Sequence, residues 1–163
     1  MSEGAARRGD SRPEDPVSSQ DAPDPGSGHD TDTYQLYQRG LDLLGRGSAA
    51  AAAQLLARAA AAEPQSRSVL EALARAQFDA GQYTAAAGNF RRIVDASPSD
   101  DYAQFGLGLA LSRTGDHGAA AEHLALAAAM QPHLRHYTDA LRGVRATLKA
   151  RSEAAGEPPG APA

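Results

Sequence analysis

The sequence predicts an all-α fold built from tandem helix–turn–helix units. The main observation is an internal period of 34 residues that recurs without insertion through the middle of the 163-residue chain. Glycine and proline both return at this period, at Gly47, Gly81 and Gly115 and at Pro64, Pro98 and Pro132. Glycine suits the turn inside a unit, and proline cannot continue the helix before it. Periods of this length are typical of repeat arrays, whose units bury their apolar faces against one another.

The N-terminal end differs in composition from the rest of the chain. Residues 1–32 carry eight acidic and three basic residues, so they account for the whole net charge of −4. They are rich in Pro, Ser, Gly and Asp, and Val17 is their main aliphatic side chain. Such a segment buries too little apolar surface to offset the entropy of ordering it. We predict a disordered acidic tail over 1–31, either a solubilising leader or a phosphorylation switch, and a second tail over 153–163.

A repeat domain is predicted over 32–152, with three units and a cap. The units cover 33–66, 67–100 and 101–134, and their expected helix pairs are 33–46 and 49–62, 67–80 and 84–97, and 101–114 and 117–130. Small residues at one register allow the two helices of a pair to approach closely, while bulky residues fill the space beside the contact. These residues are Ala52, Ala86 and Ala120, with Leu56, Phe90 and Leu124.

A capping helix is expected over 135–152. Tyr137, Leu141, Val144 and Leu148 fall on one face at helical spacing, and the remaining positions are polar. Repeat arrays need a terminal helix of this kind, because its apolar face covers the last unit and its polar face meets water.

The repeat pattern resembles the tetratricopeptide repeat family. The third unit carries the resemblance best, through Leu107, Gly108, Leu111, Gly115, Ala120, Leu124, Ala127 and Pro132. The pattern departs at Arg39, Gln77 and Ile93. The resemblance implies an α-solenoid of antiparallel helix pairs, about seven helices in all. The first helix of each pair would line a concave face.

The family register implies which side chains point into that concave groove. The predicted peptide-binding residues are Tyr34, Tyr37, Leu41, Glu71, Arg75, Phe78, Tyr102, Phe105, Leu109 and Arg113. Five of them are aromatic in a chain with only five Tyr and three Phe, and such a concentration favours an interaction site. The alternatives are that Phe78 packs against the neighbouring unit and that the charged residues are simply solvated.

One binding mode known in the family is argued against by the sequence. Some members hold a terminal carboxylate with a clamp of basic and amide side chains. The corresponding positions here are Tyr37, Leu41, Ala72, Tyr102 and Gly106, none of which matches. An apolar or aromatic-rich ligand segment is the better expectation.

Composition and motifs argue against most other functions. The chain has no Cys, no nucleophile elbow, no phosphate-binding loop and no paired carboxylates placed for acid–base catalysis, so we expect neither an enzyme nor a cofactor. Four histidines near the end of the array lack the further ligands that a metal site needs. The negative net charge argues against nucleic acid, and no apolar run suggests a membrane span or a secretory signal. We expect a cytoplasmic protein of bacterial type.

The function predicted from the sequence is a non-catalytic protein–protein interaction module, an adaptor or scaffold that binds a partner peptide in its groove. One alternative is a structural module that self-associates, for example as a homodimer through the small residues of Ala49–Ala62. Another is a small chaperone of this fold that holds its substrates.

Overall fold

The computed structural model describes residues 25–156, and in that part of the chain it contains seven helices and no strand. The helices are α1 (Pro25–Gly45), α2 (Ala49–Ala62), α3 (Arg67–Asp79), α4 (Tyr83–Ala96), α5 (Asp101–Thr114), α6 (His117–Met130) and α7 (Arg135–Gly156). The predicted all-α fold of about seven helices is therefore confirmed. The bounds predicted for the five helices α2 to α6 agree with the structure to within one residue.

The first helix begins earlier than the sequence predicts. It begins at Pro25, so residues 25–31, expected in the tail, are helical. Proline is favoured at the first position of a helix because its fixed φ suits the helix and its missing N–H is not needed there. Thr33 is 5% exposed and its Oγ1 donates to the backbone oxygen of His29 at 2.9 Å, which ties the added turns to the rest of α1. The remaining predicted tail, 1–24, lies outside the described residues.

The last helix also runs longer than predicted. It ends at Gly156 instead of 152, and its final turns, from Lys149 onwards, are exposed. Ala and polar residues continue the helical sequence there, and the first strong helix breakers are Gly156 and the prolines after it. The predicted tail 153–163 therefore starts later, and its residues 157–163 lie beyond the part that the structure describes.

The turn inside each unit depends on its glycine. Gly47, Gly81 and Gly115 have φ of 78°, 78° and 93°, a left-handed conformation that other residues rarely adopt. In each turn the next residue donates its N–H back to the carbonyl five residues earlier, as from Ser48 to Leu43 at 2.8 Å. This bond satisfies a carbonyl at the end of the helix and closes the Schellman turn. The role predicted for these glycines is confirmed.

The helices stack in chain order, and the odd-numbered ones form a second set of contacts. Each helix packs against the next along the chain, and α1 also touches α3, α3 touches α5, and α5 touches α7. No comparable contacts join α2, α4 and α6 within residues 25–156. Because the odd helices lie closer together than the even ones, the array curves, and the odd helices line its concave face.

Candidate functional site

Two adjoining pockets lie on the concave face. The first has a volume of about 280 Å³ and lies between α1, α3 and α5. The second has a volume of about 180 Å³ and lies mainly between α3 and α5. Arg75 and Tyr102 line both pockets, so the two form one continuous groove. We call the first the polar pocket, because Arg67, Ser68 and Glu71 line it, and the second the apolar pocket, because most of its lining is aromatic or aliphatic.

Eight of the ten residues predicted for the groove line these two pockets. The polar pocket contains Tyr37, Leu41, Glu71, Arg75 and Tyr102, and the apolar pocket adds Phe78, Phe105 and Leu109. The structure therefore brings together side chains from three helices that are far apart in sequence.

Tyr34 and Arg113 lie at the margins. Tyr34 is 62% exposed and lines a smaller neighbouring pocket with Tyr37. The guanidinium of Arg113 lies 5.7 Å from the ring centroid of Phe78 and 5.5 Å from that of Tyr83, and its Nη1 donates to the Tyr83 hydroxyl at 3.2 Å. Arg113 thus buttresses one wall of the apolar pocket and lines neither pocket.

The polar pocket is closed by a network around Arg67. Arg67 Nε donates to Asp100 Oδ2 at 2.6 Å, and Arg67 Nη2 lies 2.9 Å from Glu71 Oε2. Asp100 also caps α5, where it accepts the N–H of Ala103 at 3.0 Å. This network joins the start of α3 to the start of α5, and its members Arg67 and Glu71 line the polar pocket.

The charges of this network affect one another's titration. Burial alone would raise the pKa of Asp100, but the hydrogen bond from Arg67, the N–H of Ala103 and the charge of Arg67 together hold that pKa below its ordinary value. The hydrogen bond to Asp100 in turn raises the pKa of Arg67, against the effect of its partial burial. The pair is therefore charged throughout the physiological range.

Arg75 is much less engaged. Its Nε lies 4.0 Å from Asp79 Oδ2, and the two side chains are 60% and 46% exposed. Tyr102, next to Arg75, is half-buried, and its burial raises the pKa of its hydroxyl, while the positive charge of Arg75 opposes that rise. Arg75 and Tyr102 thus lie together at the boundary between the two pockets.

The apolar pocket is built from aromatic rings. Its floor is Phe90, which lies edge-on to Tyr102 with ring centroids 6.2 Å apart. A Cβ on Gly106 would fall 2.5 Å from the Phe90 ring, so glycine is what allows that ring to lie against α5. Phe105 forms another wall and stacks on Tyr137 at 4.4 Å, which joins the groove to α7.

Seven further residues line the two pockets, and two of them, Arg67 and Phe90, lie outside the groove positions of the repeat register. Arg67 precedes the groove positions of the repeat register, and it reaches the pocket because Asp100 and Glu71 hold its side chain there. Phe90 was predicted only as a packing residue of α4, and it is buried, but one side of its ring forms the pocket floor. The sequence signal for Arg67 is its spacing from Asp100, which lies 33 residues later, almost one full repeat period.

The described residues include neither a candidate metal cluster nor a helix that could span a membrane. Within 25–156 there is no group of three or more His, Asp or Glu residues that could hold a metal ion. In the same part of the chain, no helix is both long enough and apolar enough to cross a membrane.

Comparisons with known proteins agree with this architecture. A model of the tetratricopeptide repeat family matches residues 37–101 and, in a second overlapping match, residues 71–134. Together these matches cover more than half of the chain, and the chain belongs to the tetratricopeptide repeat family. No protein with a curated description matches it in sequence.

Several solved structures share the fold. The first repeat domain of Spaghetti (RPAP3), bound to the HSP90 peptide SRMEEVD, is 18% identical with a TM-score of 0.68, over 73% of this chain and 94% of that one. The Sgt2 repeat domain of Aspergillus fumigatus is 21% identical with a TM-score of 0.70, over 80% and 87%. MamA of Desulfovibrio magneticus RS-1 is 22% identical with a TM-score of 0.70, over 76% and 70%. At these identities the likeness extends to the fold alone.

Proposed function

We propose that this chain is a non-catalytic interaction module that binds a peptide segment of a protein partner in its concave groove. The observation that carries the proposal is the pair of adjoining pockets on the face formed by α1, α3 and α5. Exposed concave surfaces that combine aromatic rings with a few charged groups are typical of recognition sites. That the solved relative with bound HSP90 peptide shares this fold is consistent with such a role.

The shape of the groove favours an extended segment over a small molecule. Pockets for drug-sized ligands have volumes of about 300–1,000 Å³. The two pockets here, at about 280 and 180 Å³, are smaller, lie side by side and are open along one face. A chain that places successive side chains in successive pockets fits this arrangement.

The charged groups of the groove also favour binding over catalysis. Glu71 is paired with Arg67, and Asp79 lies nearest to Arg75, so each carboxylate faces a cation. A general acid or base needs a pKa tuned towards neutrality, usually by burial away from such partners. These carboxylates instead suit orientation of a bound backbone or side chain.

The test is partner capture with a groove variant and a matched control. The groove variant combines Tyr37→Ala with Arg75→Ala. The control makes the same kinds of truncation on the even helices, with Leu126→Ala, which removes a 51% exposed side chain of α6, and Arg58→Ala, which removes an exposed side chain of α2. Circular dichroism checks that both variants remain helical.

We expect proteins captured from a cell lysate by the wild-type chain to be lost with the groove variant and retained by the control. Quantitative mass spectrometry measures the loss. Equal capture by all three proteins would reject the groove as the binding site.

Self-association is the second candidate, and one feature of α2 favours it. Its exposed face consists mainly of alanines, at Ala50, Ala51, Ala57 and Ala61, so a second helix could approach it closely. Light scattering over a range of concentrations distinguishes the two. A constant monomer mass would leave the adaptor as the proposal, and a dimer that Ala57→Glu disrupts would establish self-association through α2.

A further inference from the structure

The two pockets of the groove differ in chemistry, and the difference indicates which kind of segment they hold. The walls of the polar pocket carry Arg67, Ser68 and Glu71, whereas those of the apolar pocket are mainly aromatic and aliphatic. Arg75 and Tyr102 stand between them and line both. A segment lying along the groove therefore passes from a polar compartment to an apolar one, with a cation at the boundary.

The groove's cations are not equally available to a ligand. Arg67 is held by Asp100 at 2.6 Å and by Glu71 at 2.9 Å, and its charge is balanced by both carboxylates. Arg113 lies over aromatic rings outside the two pockets. A ligand that approached either guanidinium would have to displace partners that are already well placed.

Arg75 is the exception among these three. Its closest carboxylate is that of Asp79, 4.0 Å from its Nε, and both side chains are largely exposed. An exposed ion pair at this distance contributes little, because solvent screens it and neither side chain is fixed. The planar guanidinium is therefore free to form a bidentate pair with an incoming carboxylate.

The hydroxyl of Tyr102 adds a donor at the same place. Among residues 25–156 it has no hydrogen-bond partner, although its ring is half-buried between the two pockets. Because Tyr102 lines the same two pockets as Arg75, its hydroxyl is a second donor at the place where we expect a carboxylate to bind. Two donors of different type thus lie at the boundary of the apolar pocket.

The apolar pocket sets what must lie beside that carboxylate. Its volume of about 180 Å³ is below the range of about 300–1,000 Å³ usual for small-molecule sites, and it suits a single bulky side chain. The ring of Phe90 reaches it only because Gly106 has no Cβ. A leucine, methionine or phenylalanine side chain would bury its apolar surface there.

We infer that the groove recognises a segment in which a bulky apolar side chain stands next to an aspartate or glutamate. The apolar side chain occupies the apolar pocket and the carboxylate pairs with Arg75, displacing Asp79. Asp79 is thus an internal competitor that weakens binding of the ligand. The inference rests on the proposed function, because it names the chemistry of the segment that the same groove binds.

Selection from a peptide library tests this inference. Random nine-residue peptides displayed on phage are selected in parallel on the full wild-type chain, on Arg75→Gln and on Asp79→Asn. We expect the wild-type chain to enrich peptides with a bulky apolar residue within two positions of Asp or Glu. The Arg75→Gln chain should keep the apolar preference and lose the acidic one.

Binding of one selected peptide gives the size of the effect. Fluorescence anisotropy compares the peptide with its amide form, in which Asn or Gln replaces the acidic residue. Since an ion pair to a largely exposed arginine is worth about 0.2–1 kcal/mol, we expect the amide form to bind wild type about two- to fivefold more weakly. The two forms should bind Arg75→Gln equally, and Asp79→Asn should bind the acidic form more tightly than wild type.

The outcomes that overturn the inference are separate from those that overturn the proposed function. Arg58→Gln is the matched control, since it removes an exposed arginine on α2 and should leave the selected motif unchanged. Enriched peptides without an acidic preference, or with one that Arg75→Gln retains, would reject this ligand chemistry and leave groove binding intact. A failure to enrich any peptide above the Tyr37→Ala/Arg75→Ala variant would reject both.

Discussion

The first and third repeat units have the same backbone fold and are held together in different ways. In the first unit, the cap residue before α2 is Ser48, whose side chain makes no capping hydrogen bond, and most of the helix is alanine. In the third, both helices are capped by aspartate: Asp100 accepts from Ala103 N at 3.0 Å and Asp116 from Ala119 N at 3.1 Å. The first unit depends on close packing, and the third adds fixed polar contacts.

The polar contacts at the start of α5 reach both neighbours of the third unit, and Asp100 is itself the last residue of the second unit. Asp100 bonds to Arg67 at the start of α3, and Asp101 accepts the Tyr137 hydroxyl of α7 at 2.9 Å. The start of α5 is thereby tied to the second unit on one side and to the cap on the other. Since Tyr102, Phe105 and Leu109 follow on this helix, the contacts hold the apolar wall of the groove in place. A binding site needs such support from residues that do not themselves touch the ligand.

The largest loss of stability is expected for alanine substitutions at the glycines where two helices pack closely. A Cβ on Gly108 would fall 2.6 Å from Leu124 Cγ and 3.1 Å from the backbone oxygen of Ala120, whereas at Gly40 it would meet only side-chain atoms of Leu56, the nearest at 2.6 Å. A backbone atom yields less easily than a side chain. We therefore expect Gly108→Ala to destabilise by about 2–3 kcal/mol and Gly40→Ala by about 1–2 kcal/mol.

Urea unfolding followed by circular dichroism measures both, with Gly88→Ala as the control. Nothing lies within 4 Å of a Cβ at Gly88, so alanine there should stabilise α4 by up to about 1 kcal/mol through helix propensity. Equal losses of stability at Gly40 and Gly108 would show that the two helix interfaces adapt equally well, and would contradict the expected difference between backbone and side-chain contacts.

A smaller effect is expected at the helix caps. Asp100→Ala removes the α5 cap and the partner of Arg67, and we expect a loss of about 1–2 kcal/mol. Ser48→Ala should change the stability by less than about 0.5 kcal/mol, because the Ser48 side chain makes no capping bond. Thermal unfolding of the two variants gives the comparison.

The variant Asp100→Asn separates the effect of the helix cap from the effect of the ion pair with Arg67. The amide keeps an oxygen for Ala103 N–H but loses the ion pair, so its stability should lie between those of wild type and Asp100→Ala. Because the pKa of Asp100 is lowered in the folded chain, its contribution is present above the unfolded value of about 3.9 and is lost as the pH falls through the folded one. A Ser48→Ala loss as large as that of Asp100→Ala would remove the distinction between the two units.

The sequence was most informative where structure is local and periodic. The 34-residue period located the turn glycines and the bounds of α2 to α6, because turn geometry and helix breaking depend on a few neighbouring residues. It failed at residues 25–31, whose polar composition resembles a tail although Pro25 can start a helix there. It also missed Arg67, since the partner that directs this side chain into the groove lies 33 residues away. Such a contact is set by tertiary packing.

The smallest effect on stability is expected at His123, a histidine that only the third unit has. His123 Nδ1 lies 2.7 Å from Gln104 Oε1, and the Nε2 of that buried glutamine donates to Pro98 O at 2.9 Å. The glutamine oxygen must therefore accept, so His123 carries its proton on Nδ1. Burial, and then the charge of Arg91, lower the pKa of His123 below its ordinary 6.5, and Glu122 only partly opposes them.

This shift predicts a pH dependence with a definite sign. Below pH 6.5 the unfolded chain binds a proton at His123 more readily than the folded chain does, so stability falls as the pH drops through that value towards the folded pKa. We expect His123→Gln to lose less stability than wild type between pH 7.5 and pH 5.5, measured as the difference in urea midpoints. Because the other histidines are common to both proteins, their titration cancels in that difference. An identical pH dependence would mean that His123 titrates as it does in the unfolded chain, and that the third unit's polar contacts are insensitive to its charge.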